Sequence, residues 1–243
     1  MDERIYYAVG DIHGEYERLV ELHDTINMHW RDEGGGRPAT LLHLGDYIDR
    51  GPDSRRVVDY LIDLQKTFAG DEDGFEVVCL MGNHERMMLD ALKDAEPGAL
   101  AHWLKNGGEQ TVESYVRDAP PETPRLDAPS RAHLEWMSGL PIQTVIRTAG
   151  LLFVHAGVQP DRYPNCDEAV YLWTRSPSFM DDSSWPWNPE LDPYTVVHGH
   201  TPTEDGEPYV GQRRINLDTG ACYGGKLTAA IFMPGEKVSF LTT

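Results

Sequence analysis

The chain opens with apolar runs that stop at glycines. Ile5–Val9 reads "IYYAV" and ends at Gly10. Thr40–Leu44 and Phe75–Met81 ("FEVVCLM") stop in the same way at Gly45 and Gly82. Short apolar runs bounded by turn residues read as buried strands. Between them apolar positions recur at helical spacing. Leu19, Leu22 and Ile26 share a face, which predicts a helix over Glu15–Met28. Ser54 caps a second helix running to about Lys66, with Val57, Val58, Leu61, Ile62 and Leu64 on its apolar side. Glu85–Lys93 is a third, and the glycine-rich stretch Asp32–Pro38 is a loop. Strands alternating with helices predict a mostly parallel sheet covered by helices.

The second half follows a different pattern. Residues 94–140 read as helical pieces around a proline-rich connection, Ala119–Pro129. Ile142–Thr148 and Leu151–Val154 flank Ala149 and Gly150, which suggests a hairpin. Ser176–Pro193 carries Trp185, Trp187 and several prolines and is expected to be a long ordered loop. Thr195–Val197, Arg214–Leu217, Leu227–Phe232 and Lys237–Leu241 read as short strands. The fold class expected is α/β: two stacked mixed sheets flanked by helices, in one domain spanning the 243 residues.

Charge narrows the partners. The formal net charge is -19, from 40 acidic and 21 basic residues. Such a surface repels phosphate backbones, so no nucleic-acid partner is expected. It can attract cations. No apolar run reaches the roughly 18 residues of a membrane span, so no membrane partner is expected either. Met1–Ile5 runs almost directly into a strand pattern, which argues against a leader peptide. Cys79, Cys166 and Cys222 are odd in number and far apart, which fits reduced thiols in a cytoplasmic protein. Composition leaves the oligomeric state open.

The candidate chemistry sits where the apolar runs end. Asp11 and His13 follow the first run, Asp46, Asp49 and Arg50 the second, and Asn83 and His84 the third. His155 follows Leu151–Val154, and His198 and His200 follow Thr195–Val197. In open α/β sheets ligands bind outside the carboxyl ends of strands, so these loops should lie side by side. Aspartate, histidine and asparagine together suit divalent metals. Alternation on an extended backbone lets Asp11 and His13 reach one ion. Taken singly, each element has a plainer explanation: a surface turn, a satisfied buried histidine, a helix cap. Their joint occurrence, in a chain with 10 histidines, favours one site.

The ordered motifs "GDIHG" (Gly10–Gly14), "GDYIDRG" (Gly45–Gly51), "GNHE" (Gly82–Glu85), "HAG" (His155–Gly157) and "GHT" (Gly199–Thr201) carry a resemblance. They resemble the PPP-type serine/threonine phosphoprotein phosphatases, within the calcineurin-like metallophosphoesterases. "HWLKNGG" (His102–Gly108), "LWTR" (Leu172–Arg175) and "LDTGACYGGKLT" (Leu217–Thr228) resemble the bacterial and bacteriophage lambda branch. The resemblance implies two divalent ions per chain, with manganese expected and iron or zinc as alternatives. It implies Asp11 and His13 on the first ion, Asp46 between the two, and Asn83, His155 and His200 on the second. Arg50 and Arg175 would hold the phosphoryl group. His84 would protonate the leaving oxygen, with Asp49 orienting its ring. Arg50, Arg175 and His84 would therefore also bind substrate. His198 falls outside the family's metal set, and Tyr223 sits where some relatives place a hydroxyl near the phosphate.

The activity implied is hydrolysis of phosphoserine and phosphothreonine in proteins, with phosphotyrosine and small phosphate esters as further substrates. A symmetrical bis(5'-nucleosyl)-tetraphosphate hydrolase is the alternative. That family tends to have Ala at the position of Asp49 and Asp at that of Glu85, so "YIDRG" and "NHE" favour the phosphatase. A metal-binding scaffold without turnover is the rival of another class. The presence of Asp49, Arg50, His84 and Arg175 argues against it.

Overall fold

The computed structural model describes residues 3–71, 74–95, 97–117 and 119–243. Positions 96 and 118 of the expected helical stretch, and the first two residues, lie outside this set. The first half alternates as its pattern predicts: β1 (Ile5–Val9), α1 (Tyr16–Glu33), β2 (Ala39–His43), α2 (Ser54–Thr67), β3 (Phe75–Cys79) and α3 (Asn83–Leu92). Next come α4 (Ala99–Trp103), a wide helical turn at Leu104–Gly108, α5 (Glu109–Val116) and α6 (Arg131–Ser138). The second half contains β4 (Gln143–Ile146), β5 (Leu151–Val154), α7 (Glu168–Trp173), α8 (Pro177–Met180), β6 (Thr195–His198), β7 (Tyr209–Val210), β8 (Arg214–Asn216), β9 (Thr228–Phe232) and β10 (Ser239–Thr242).

The strands form two mixed sheets, ordered β10-β9-β1-β2-β3 and β4-β5-β6-β8-β7. β1, β2 and β3 run parallel, and β9 joins β1 antiparallel. In the second sheet β5, β6 and β8 are parallel, with β4 and β7 antiparallel at the edges. The hairpin of β4 and β5 forms as expected.

Period-two alternation along β1 sorts the core. Ile5, Tyr7 and Val9 face α1 and α2 in one apolar cluster. Tyr6 and Ala8 face the other way, where they join Leu42 and Ala230 against Leu151, Phe153, Val197 and Ile215 of the second sheet. The far face of the second sheet is covered by loops and short helices. There Leu152, Val154 and Val196 meet Tyr163, Phe179, Trp185 and Tyr194.

Several boundaries differ from the sequence expectation. α1 runs five residues past Met28, because Trp30 packs on the core and its Nε1–H donates to the Arg37 carbonyl. β3 stops at Cys79, and α3 begins at Asn83, so Asn83 and His84 form its first turn. The 176–193 loop contains α8, and the short helix α7 and strand β7 carry no clear periodic signal. Among the described residues no helix is long and apolar enough to cross a membrane.

Candidate metal centre

The loops after β1, β2, β3, β5, β6 and β8 meet at one end of the two sheets. Every expected ligand there is buried: Asp11, His13, Asp46, Asn83, His155 and His200 are each at most 5 % exposed. Asp46 is the hub. Its Oδ2 lies 3.4 Å from His13 Nε2, and its Oδ1 lies 3.4 Å from His155 Nε2. The two oxygens of one carboxylate thus point at two separate donor sets. Asn83 Oδ1 lies 2.9 Å from His155 Nε2 and 2.8 Å from His200 Nδ1. Donor atoms within mutual reach of a single ion form two groups, His13–Asp46–His84 and Asp46–His155–His200. Asp11 stands outside both groups, and its carboxylate accepts the His200 backbone N–H at 3.1 Å.

The remote nitrogens fix the histidine tautomers. His13 Nδ1 donates to the Ile48 carbonyl (2.8 Å) and His155 Nδ1 to that of Leu44 (2.9 Å), leaving both Nε2 atoms as acceptors toward the centre. Burial is the largest influence on each side chain. It pushes His13 well below the usual histidine range and His155 down to about 3, so both rings stay neutral. It also pushes Asp11 and Asp46 well up, reinforced by Asp218 beside Asp11 and Glu85 beside Asp46. Neutral imidazoles around crowded, uncompensated carboxylates form a donor set that divalent cations complete. The residues present therefore fit a metal pair.

Backbone strain concentrates here. Six non-glycine residues among those described have positive φ, and five are candidate site residues: His13 (47°), Asp46 (55°), Asp49 (72°), Arg50 (69°) and His200 (70°). Each such conformation costs about 1–3 kcal/mol and persists only if its surroundings hold it. Glu85 does much of that holding. Its carboxylate accepts from the backbone N–H groups of Asp46 (2.9 Å), Tyr47 (2.8 Å) and Gly82 (3.0 Å). Gly45 lets the β2 and β3 loops touch: a Cβ there would lie 2.6 Å from Gly82 Cα.

His84 belongs to the first donor group, and the other expected residues border the cluster. His84 Nδ1 lies 2.7 Å from Asp49 Oδ2, and its Nε2 is 3.9 Å from Asp46 Oδ2. Burial raises Asp49 to about 7, against the opposing pull of donors from Thr111 and Trp103. Arg50 Nη1 lies 2.6 Å from His13 Nε2, and Arg175 Nη2 donates to the His200 carbonyl (3.2 Å). Tyr223, 65 % exposed, holds its ring 5.6 Å from the Arg50 guanidinium carbon. His198 stays outside the cluster: its Nε2 is 3.1 Å from Arg214 Nη1, and its ring packs on Phe179.

Sequence reasoning left four contributors without a role. Glu85 lay within a quoted motif, and so did Asp218, which burial raises to about 6 beside Asp11. Trp103 lay in "HWLKNGG". Thr111 carried no signal.

A family model described as calcineurin-like phosphoesterase matches residues 6–232. An asymmetrical bis(5'-nucleosyl)-tetraphosphatase PrpE from Geobacillus sp. (strain WCH70) is 27 % identical over 95 % of this chain and 91 % of its own. A solved structure described as a putative diadenosine tetraphosphatase superposes with a TM-score of 0.63 at 24 % identity, covering 98 % of this chain and 93 % of that one. A protein serine/threonine phosphatase from Saccharomyces cerevisiae superposes with a TM-score of 0.57 at 16 % identity, covering 100 % and 80 %. These two structures share the fold with this chain. With a family model spanning nearly all of β1 to β9 and two donor groups meeting at Asp46, the chain belongs to the calcineurin-like phosphoesterases, hydrolases that use dinuclear divalent metal centres.

Proposed function

We propose that this phosphoesterase hydrolyses phosphomonoesters of poorly leaving alcohols, phosphoserine and phosphothreonine side chains foremost. The carrying observation is the buried Asp49–His84 pair beside the donor cluster. An alkoxide is a strong base and leaves slowly unless protonated. A phosphate chain expelled from an anhydride is a far weaker base and gains little from an acid. A pair buried at such cost is best explained by the harder leaving group.

The roles are those the family resemblance implies, and the burial of these side chains at one end of the sheets supports them. Asp11 and His13 would hold one ion and Asn83, His155 and His200 the other, with Asp46 serving both; Asp11 lies outside the two donor groups and takes its role from the resemblance. A divalent pair bound there, manganese by family resemblance, would polarise phosphoryl oxygens and favour ionisation of water at neutral pH. Arg50 and Arg175 hold the equatorial phosphoryl oxygens. His84 delivers a proton from Nε2 to the departing oxygen, worth about 10²–10⁴-fold. Asp49 accepts from Nδ1 and keeps the ring aimed. The 243 residues act as one catalytic unit.

A second reading is asymmetrical cleavage of a dinucleoside tetraphosphate. It is favoured by the PrpE relatives and by two exposed aromatics at the rim. Trp173 is 38 % exposed with its ring 6.2 Å from that of His200, and Tyr223 stands over Arg50. Such rings can stack on bases. The named activity is asymmetrical, in contrast to the symmetrical alternative weighed from sequence.

Rates of manganese-loaded protein on a phosphothreonine peptide and on diadenosine tetraphosphate separate the two. Faster peptide turnover is expected. Faster release of AMP and ATP from the dinucleotide would replace the first reading with the second.

A further inference from the structure

The Asp49 carboxylate is held from two sides. Oδ2 faces His84 Nδ1 at 2.7 Å, and Oδ1 accepts the Thr111 hydroxyl at 2.6 Å. Trp103 Nε1–H reaches both oxygens at 3.0 Å. The Thr111 hydroxyl also accepts the Asp49 backbone N–H at 2.8 Å. Its single proton is committed to Oδ1, so the Ser54 hydroxyl, 3.0 Å away, donates to it. With three donors on two oxygens the carboxylate cannot rotate without losing at least one bond.

Residues 103–111 form a strap built for this contact. Within the wide turn Gly107 adopts a φ of 105°, and its carbonyl accepts the Arg50 backbone N–H at 3.2 Å. A Cβ on Gly107 would lie 2.8 Å from Arg50 Cγ, and one on Gly108 would lie 2.7 Å from the Trp103 ring. The turn presses the strap onto Asp49 and Arg50 while Thr111 holds Oδ1 and Trp103 spans both oxygens. Trp103 is fully buried and fills core space as well. Packing alone, however, does not require its N–H to point at a carboxylate.

We propose that Trp103 and Thr111 are positioning residues for proton donation by His84, fixing Asp49 so that His84 Nε2 stays aimed at the leaving oxygen. This rests on the reading of His84 as the proton donor. In that step the bond from phosphorus to the leaving oxygen breaks, and its electron pair passes to that oxygen. The oxygen takes the proton from His84 Nε2. Water supplies the oxygen of the new bond to phosphorus and gives up a proton to the medium. A misaligned ring harms this step only when the leaving group needs the proton.

Leaving-group dependence therefore tests the proposal. Phenyl phosphate expels a strong base, and 2,4-dinitrophenyl phosphate expels a weak one that needs no acid. Trp103→Phe and Thr111→Val are expected to lose about tenfold or more in kcat on phenyl phosphate, a share of the acid contribution, with at most about twofold loss on the dinitrophenyl ester. Thr111→Ser, which keeps the hydroxyl, should restore the phenyl rate. Equal losses on both esters in Trp103→Phe and Thr111→Val would overturn the proposal and mark the strap as packing. So would unchanged rates on both. His84→Asn calibrates the assay. If it shows no leaving-group dependence, the proton-donor reading itself falls. If it does and the strap variants do not, only the positioning proposal falls. Should Trp103→Phe fail to fold, the contrast between Thr111→Val and Thr111→Ser still decides.

Discussion

The loops of the first sheet and those of the second bring similar side chains to one place by different means. The first set clamps itself. Ile12 and His13 donate backbone N–H groups to the Asp46 carbonyl at 3.1 and 2.8 Å, and Gly14 donates to that of Tyr47 at 2.8 Å. Glu85 ties Asp46 and Tyr47 to Gly82, and four of the five strained site residues lie in these loops. The second set leans on the first. His200 is fixed through its N–H to Asp11, and His155 through Nδ1 to Leu44. Gly199 packs so closely that a Cβ would lie 2.1 Å from Asp11 Oδ1. One half is a self-supporting frame and the other is registered against it. Damage to the frame should spread, and damage to the second half should stay local.

The largest effect should come from the hub that serves both halves. Asp46→Asn is expected to lower activity at least about 10²-fold and to lose bound metal, read by elemental analysis of the purified protein. Retention of two ions per chain would break the assignment of Asp46 to both donor sets. Glu85→Ala tests the frame. Hydrogen bonds to charged groups are worth about 1.5–3 kcal/mol each, so urea unfolding should show a loss of about 3 kcal/mol or more with activity falling alongside. Gly199→Ala should instead spare stability by comparison and lower the metal content, because Asp11 and His200 must separate. An equal fall in stability would mean that the second half is part of the frame.

One pH effect in the frame comes from a ring outside the donor cluster. His43 lies on β2 with its Nε2 2.9 Å from His23 Nε2, and burial lowers it from 6.5 to about 4. Unfolding frees it to bind a proton below 6.5, while the folded ring stays neutral to about 4. The contribution of this ring is thus full above pH 6.5 and is lost as pH drops toward 4, by about 3 kcal/mol. Melting curves of wild type and His43→Asn at pH 7 and 5 isolate this contribution: the variant should lose less stability on acidification than the wild type. The smallest effect is expected at the edge of the second half. Arg175→Ala should weaken inhibition by inorganic phosphate about tenfold and change melting little, since the Arg175 side chain is tied to the site loop by a hydrogen bond to the His200 carbonyl.

The same contrast explains what the sequence made legible. The alternation of β1, α1, β2, α2, β3 and α3 is carried by short-range periodicity, and its polar ends announced Asp11, His13, Asp46, Asn83 and His84. Fold class followed from that pattern. Glu85 was visible as a letter, but its work depends on backbone groups nearly forty positions earlier, at Asp46 and Tyr47. Thr111 meets Asp49 across 62 positions, beyond any periodic signal. Asp218 gains meaning only from its closeness to Asp11. β7 is a two-residue edge strand, too short for alternation to register. In each case a tertiary contact assigns the role.

The strand order β10-β9-β1-β2-β3 has a consequence for how the protein comes into being on the ribosome. β1 precedes β2 and β3, yet its other neighbour, β9, is made only after β4 to β8, with Val9 paired to Ala229. Until then β1 lacks half its hydrogen-bonding partners, and the Gly10 N–H waits for the Thr228 carbonyl. A nascent chain can close β1 onto β2 and β3 early, because those pairings are short in sequence. The sheet, and with it the seat of Asp11, is finished only when β9 and β10 emerge, and long-range closure of this kind is intrinsically slow.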